Sequence, residues 1–198
     1  MRPTTSDSIS RIAALVDRLC RMTRGLQHAR GIKPAQWSAL RYLAHANDHS
    51  RSPGALADFL GSTRGTVSQT LIALERKHLI AREPSPSDRR STNLTLTPAG
   101  WALIAEDPLS RLEGALAKLP PSTRDALADG LSALSAELHR NNGFRRFGEC
   151  GPCRYFQRGD GSGDDPHFCL SRGDRVGVVD TNLLCREFEP AAAPLRAS

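Results

Sequence analysis

Helical periodicity runs through this chain as far as Asn141 and then stops, and beyond it four cysteines, Cys150, Cys153, Cys169 and Cys185, follow one another as Cys-x2-Cys-x15-Cys-x15-Cys. Four thiolates converging from one loop region can hold a tetrahedral metal ion or an iron–sulfur cluster, and neither centre needs regular secondary structure around it. The 198 residues therefore divide into a helical body, 1–142, a cysteine-rich annex, 143–190, and a disordered alanine-rich tail, 191–198. The length suits one ordinary domain with a small appendage.

Within the body, Ile9, Ile12, Val16, Leu19 and Cys20 recur at three and four residues, so residues 8–26 form one amphipathic helix with Asp7 or Ser8 as cap and Cys20 as a small core residue. A second helix carries Trp37, Leu40, Tyr42 and Leu43 and ends near Asn47. Ser52-Pro53 opens a third, with serine as cap and proline in the first turn, and Gly61 ends it.

Thr63 then caps a fourth helix, in which Val67, Leu71 and Leu74 make the buried stripe while Gly65, Thr66, Gln69, Ile72 and Arg76 fall on the other side. Two helices joined by a tight glycine-bearing turn make a helix-turn-helix. Short extended stretches at 79–82 and 93–96 flank the proline-stiffened basic tip Glu83-Pro-Ser-Pro-Ser-Asp-Arg-Arg90, which makes a wing.

Thr97-Pro98 restarts a helix, Pro108 interrupts it, and two leucine-rich helices follow at 109–119 and 122–140. The fold class is thus mainly α with a small β-wing: a winged helix-turn-helix with a helical dimerisation region and an irregular four-cysteine annex.

The net charge of +6 falls entirely in residues 1–142, because the last 56 residues carry eight basic and eight acidic side chains. A basic body supplies the salt-dependent, sequence-blind part of an affinity for polyanions. On the fourth helix, Thr63, Arg64, Thr66, Ser68 and Gln69 occupy the first two turns, where a helix laid in the major groove meets base edges and phosphates. Gln pairs bidentately with adenine and Arg with guanine. At the wing tip, Arg89 and Arg90 have the charge for phosphates or a narrow minor groove, with Asp88 orienting an arginine.

No run approaches the roughly 18–20 apolar residues that cross a bilayer, and residues 1–10 lack an apolar signal segment. The expected location is cytoplasmic, with no membrane partner and with thiols in a reducing compartment. No nucleophile–base arrangement, phosphate loop or cofactor fingerprint points to an enzyme.

Residues 32–105 resemble the MarR family of winged-helix repressors in order and spacing. The matching stretches are Lys33-Pro-Ala-Gln-Trp37, Gly61-Ser-Thr-Arg-Gly-Thr-Val-Ser-Gln69, Leu74-Glu-Arg-Lys77, Asp88-Arg-Arg90 and Leu96-Thr-Pro-Ala-Gly100. The resemblance implies a homodimer, with the first and last helices of each chain intertwined, holding two winged units over a palindromic site in double-stranded DNA. His78 stands where family members often have glycine, at a position that favours a left-handed backbone.

For the annex, a cytoplasmic setting disfavours stable disulfides, although a reversible switch stays open. Zinc sites usually draw ligands from two knuckles, and here only Cys150-x2-Cys153 is one, which favours a cluster over zinc. Cys150-Gly-Pro-Cys153-Arg-Tyr-Phe, then Cys169, then Cys185-Arg-Glu-Phe, is similar to the cluster-binding stretch of high-potential iron–sulfur proteins. That resemblance implies four cysteine ligands to one [4Fe-4S] cluster, with [2Fe-2S] and zinc as alternatives, and an apolar shield from Tyr155, Phe156, Phe168, Leu170, Leu184 and Phe188. His167 is a further candidate ligand. Arg145, Arg146, Arg154, Arg158 and Arg186 are expected to lower the thiol pKa values. The annex is expected beside the dimerisation helices, acting as a redox, iron or oxygen sensor that sets the affinity of a DNA-binding regulator.

Overall fold

The computed structural model describes residues 8–26, 31–84, 92–142, 145–160, 163 and 165–191. Helix α1 spans Ser8–Leu26, α2 Pro34–His45, α3 Pro53–Leu60 and α4 Arg64–Arg76. Strands β1 (Ile80–Pro84) and β2 (Thr92–Leu96) follow, then α5 (Pro98–Ile104), α6 (Ser110–Leu116) and α7 (Pro121–Asn142). The C-terminal quarter adds β3 (Phe156–Gln157), β4 (His167–Cys169) and β5 (Asp174–Val176). The order is mainly helical with a small two-stranded wing, as the residue pattern predicts.

The capping residues explain the helix starts. The Ser52 hydroxyl accepts from Ala55 N–H at 3.2 Å, the Thr63 hydroxyl from Thr66 N–H at 3.2 Å, and the Thr97 hydroxyl from Gly100 N–H at 3.1 Å. Each satisfies a first-turn donor that has no partner inside its helix. Gly61 ends α3 in the left-handed region at φ 56°, and His78 adopts the same region at φ 57° after α4, as its place in the sequence requires.

The core forms where α2, α3, α4 and the wing meet. Trp37, Leu40, Leu43, Leu56, Val67, Leu71, Leu74, Ile80 and Leu94 are all buried there. Strands β1 and β2 pair antiparallel from Ile80↔Leu96 to Pro84↔Thr92. The base of the wing is locked to α5: Thr97 N–H donates to Leu79 O at 3.2 Å, and the Thr97 hydroxyl to His78 O at 2.7 Å. Gly100 lies so close to this joint that a Cβ there would stand 2.2 Å from Leu79 O.

Helix α5 gives way to α6 at Asp107-Pro108, and Asp107 holds the corner. Its carboxylate takes both guanidinium donors of Arg41 and the N–H of Leu109. Burial opposes ionisation of Asp107, but the Arg41 and Leu109 hydrogen bonds and the Arg41 charge prevail and hold the carboxyl below its ordinary value.

By contrast, α1 and α7 show their apolar stripes to solvent. Ile9, Ile12, Leu15 and Leu19 on one, and Leu127, Leu131, Leu134 and Leu138 on the other, are each at least 39% exposed. Cys20 is exposed too, not the core residue that its place on the stripe suggests. No helix among the described residues is long and apolar enough to cross a membrane.

The annex is less irregular than its sequence implies. Strands β3, β4 and β5 form an antiparallel sheet with Phe156↔Cys169 and Cys169↔Asp174 in register. Strands of two or three residues lie below the length at which alternation can be read from sequence. The annex also does not rest mainly on α1 and α7. It sits against the α2–α3 corner, where Leu184 N–H donates to His45 O at 2.7 Å and Asn47 N–H to Leu184 O at 3.0 Å. Phe147 wedges edge-on against Tyr42 and Phe59, with ring centroids 5.9 and 5.2 Å away. The annex also reaches α7, by a 3.4 Å hydrogen bond from Arg146 to Ala136 O and by Arg145, which lines a cleft with Leu131, Leu134 and Leu138.

Two outcomes check this account by denaturant unfolding at fixed protein concentration. Gly100→Ala should lose roughly 2–3 kcal/mol, because backbone must shift to admit the methyl. Asp107→Asn should lose about 1–2 kcal/mol at neutral pH. A carboxyl with a lowered folded pKa stabilises above its unfolded value and loses that contribution as pH falls through the folded one. The mutant's deficit should therefore shrink below about pH 4.

Candidate nucleic-acid interface and four-cysteine site

Three buried side chains, Val67, Leu71 and Leu74, fix the rotation of α4 about its axis. That rotation decides which residues face outward. Arg64, Thr66, Gln69, Ile72 and Arg76 are exposed on the opposite side, whereas Ser68 is half-buried at the edge. Thr63 is exposed, but its hydroxyl is committed to the cap and lies 2.9 Å from the Thr66 hydroxyl. The two threonines order the helix start, and Arg64 and Gln69 project from it with no cap to serve.

Arg82 on β1 pairs with Glu75 on α4 at 3.1 Å, fixing the wing's stem against the helix. Ser52, Gly54, Arg64 and Thr92 line a shallow cleft where the start of α3, the start of α4 and the wing converge. Ser52 and Thr92 are candidate contacts that the sequence did not reveal, because only folding brings them beside Arg64. Asp88, Arg89 and Arg90 of the wing tip lie outside the described residues.

The four annex cysteines come together. Cys150 and Cys153 sit on one turn, closed by a hydrogen bond from Cys153 N–H to Cys150 O at 2.9 Å. Cys169 ends β4, where Gly173 N–H bonds its carbonyl at 2.8 Å. Cys185 lies on a separate segment whose N–H bonds Gly148 O at 2.9 Å. All four line one cleft with Glu149, Tyr155, Phe156 and Glu187, and none is joined to another by a disulfide.

Burial pushes the Cys150 thiol up to about 11, reinforced by the negative charges of Cys185, Cys169 and Cys153, so the other three sulfurs lie within electrostatic reach of Cys150. The arginine that works against this rise is Arg172, not one of the five expected from sequence. Several of those five are engaged elsewhere: Arg145 with Glu187 at 2.9 Å, Arg154 with Glu189 at 3.4 Å and Arg186 with Asp58 at 2.7 Å.

Of the expected apolar shield, Tyr155 and Phe156 border the cleft. Leu184 packs instead on the winged core, Phe188 lies against Gly148, and Leu170 is exposed. His167 accepts from Gly159 N–H at 3.3 Å and stands edge-on to Phe156, a structural placement. No three His, Cys, Asp or Glu side chains among the described residues are grouped tightly enough to share a single metal ion.

A family model described as MarR family matches residues 30–91. The chain is 35% identical over 78 residues to the transcriptional repressor MprA of Escherichia coli, covering 39% of this chain and 44% of that protein. It is 30% identical over 77 residues to the HTH-type transcriptional regulator MhqR of Bacillus subtilis, covering 39% of this chain and 52% of that one. The chain thus spans about half the length of these two relatives.

Among solved structures, the transcriptional repressor CouR bound to a 23-mer DNA duplex is 35% identical and superposes with a TM-score of 0.51, over 62% of this chain and 89% of that one. These likenesses fall on a molecule with α3 and α4 forming a helix-turn-helix, a two-stranded wing at its side and exposed apolar stripes on α1 and α7. The chain belongs to the MarR family of transcription regulators.

Proposed function

We propose that this protein is a dimeric repressor of transcription that reads a palindromic site in double-stranded DNA through α4 and holds an iron–sulfur cluster, [4Fe-4S], on Cys150, Cys153, Cys169 and Cys185. Support for the DNA half comes from the exposed Arg64–Gln69 surface on a helix whose other side is fixed by the core. CouR, a transcriptional repressor whose structure holds a 23-mer DNA duplex, is 35% identical to this chain. The exposed leucines of α1 and α7 supply the apolar area that a second copy would bury.

The cysteine half rests on one observation: Cys150, Cys153, Cys169 and Cys185, from three separate segments, share one cleft. A zinc ion at about 2.3 Å from each sulfur would draw them to roughly 3.8 Å from one another. A polynuclear cluster spreads its ligands wider and accepts them from separate loops. Such a group supplies a centre sensitive to electron transfer, oxidants and iron supply. The chain's own contribution is to present four thiols from three segments and to cover one side with Tyr155 and Phe156.

Anaerobic purification should give brown protein with iron and acid-labile sulfide in equal amounts, and Cys153→Ser should lose both. Colourless protein containing zinc would establish the structural-zinc reading instead. In DNA binding, Gln69→Ala should cost about 1–3 kcal/mol of discrimination at one base position, and Arg64→Ala should also reduce the salt dependence. Leu131→Glu with Leu134→Glu should convert the dimer to monomer in sedimentation and abolish binding to the full palindrome.

A further inference from the structure

Cys185 stands between two residues that hold the reading head. On one side, Leu184 exchanges backbone hydrogen bonds with His45 and Asn47, closing the end of α2. On the other, Arg186 donates its backbone N–H to the Ser50 hydroxyl at 2.8 Å. Its guanidinium gives Nε and Nη2 to one Asp58 oxygen on α3, at 3.0 and 2.7 Å.

Ser50 is fully buried, its carbonyl accepting from the Tyr42 hydroxyl at 2.7 Å and its N–H donating to the Asn47 side chain at 3.1 Å. Three residues of annex backbone, 184–186, are thereby pinned to α2, to the turn between the helices and to α3. The central one carries a sulfur of the cleft.

The same turn faces the sulfurs from behind. Asn47, Asp48 and His49 line a cavity of about 160 Å³ together with Cys150, Cys169 and Cys185. Gly148, which bonds Cys185 in both directions, follows Phe147 of the aromatic wedge on Tyr42 and Phe59. The segments around Gly148 and Cys185, two of those by which the annex touches the winged unit, therefore also carry or brace a cysteine.

From this juxtaposition we infer that Arg186 is a positioning residue that transmits the state of the four-cysteine site to the helix-turn-helix through Asp58 and Ser50. The inference rests on the proposed cluster and names how that site governs DNA binding. A bond to Cys185 fixes the backbone of 184–186 and keeps the Arg186 fork on Asp58. Release of that bond frees the segment and α3 with it. Only Gly61, Ser62 and Thr63 separate α3 from the recognition helix. A tilt of α3 is then a tilt of Arg64 and Gln69, and a small change in their presentation alters affinity. The route runs through the reading head itself rather than through the separation of the dimerisation helices.

The experiment uses the full-length protein, anaerobically isolated and then stripped with chelator. The readouts are iron and sulfide content, binding to a fluorescent duplex selected from a random pool by the wild type, and amide hydrogen exchange. In the wild type, stripping should change affinity by about tenfold. It should also speed exchange at the amides of Asn47, Leu184 and Arg186.

Arg186→Ala and Asp58→Asn should keep the wild-type iron and sulfide content while loaded and stripped forms bind the duplex equally. Asp58→Asn removes the same pair without altering the annex, so a fold defect confined to one variant does not decide the matter. Arg145→Ala, which breaks the Arg145–Glu187 pair, should leave the wild-type difference intact. Retention of that difference by both test variants, or its absence from the wild type, overturns the role of Arg186 and leaves the cluster standing. Wild-type protein without iron or sulfide overturns the cluster reading and this inference together.

Discussion

Helix α2 is the beam on which the molecule is mounted. Trp37, Leu40 and Leu43 are fully enclosed on a helix of twelve residues, and they meet α3, α4, α5 and the wing. Burial of three such side chains removes several kcal/mol of apolar exposure and sets which faces of the neighbouring helices turn inward. Tyr42 on the same helix and Ala46, its C-cap, contact the annex. The α4 unit and the sulfur-bearing annex are thus both referenced to α2.

This arrangement separates two kinds of constraint within the chain. The winged unit closes its own core and satisfies its helix starts with Ser52, Thr63 and Thr97. The annex, with strands of two and three residues, has almost no core of its own: Pro166 and Val176 are its buried apolar residues among those described. Its order comes from the contact plate on α2 and α3.

The elements most legible in the sequence were those governed by local rules. The α3–Gly61–α4 unit was readable because Ser52, Gly61, Thr63 and the stripe Val67, Leu71, Leu74 each act within a few residues. His78 was readable because a left-handed position after a helix has few tolerant occupants. The signature Leu96-Thr97-x-x-Gly100 acquired a physical reason only in three dimensions, where Thr97 bonds Leu79 and no side chain fits at Gly100. The arginine assignments failed for a related reason. Proximity in sequence placed Arg145, Arg154 and Arg186 near the sulfurs, but carboxylates on other segments claimed them and Arg172 took the place.

Residue order alone determined that a helical, basic body would end at residue 142 and that four thiols would follow, because caps, periodicity and charge are properties of short stretches. Tertiary structure decided that those thiols share one cleft and that their scaffold rests on the α2–α3 corner. It also decided that Arg186 would reach Asp58, 128 positions away. Contacts of that separation depend on which surfaces remain exposed once the core has formed, and no local pattern encodes them.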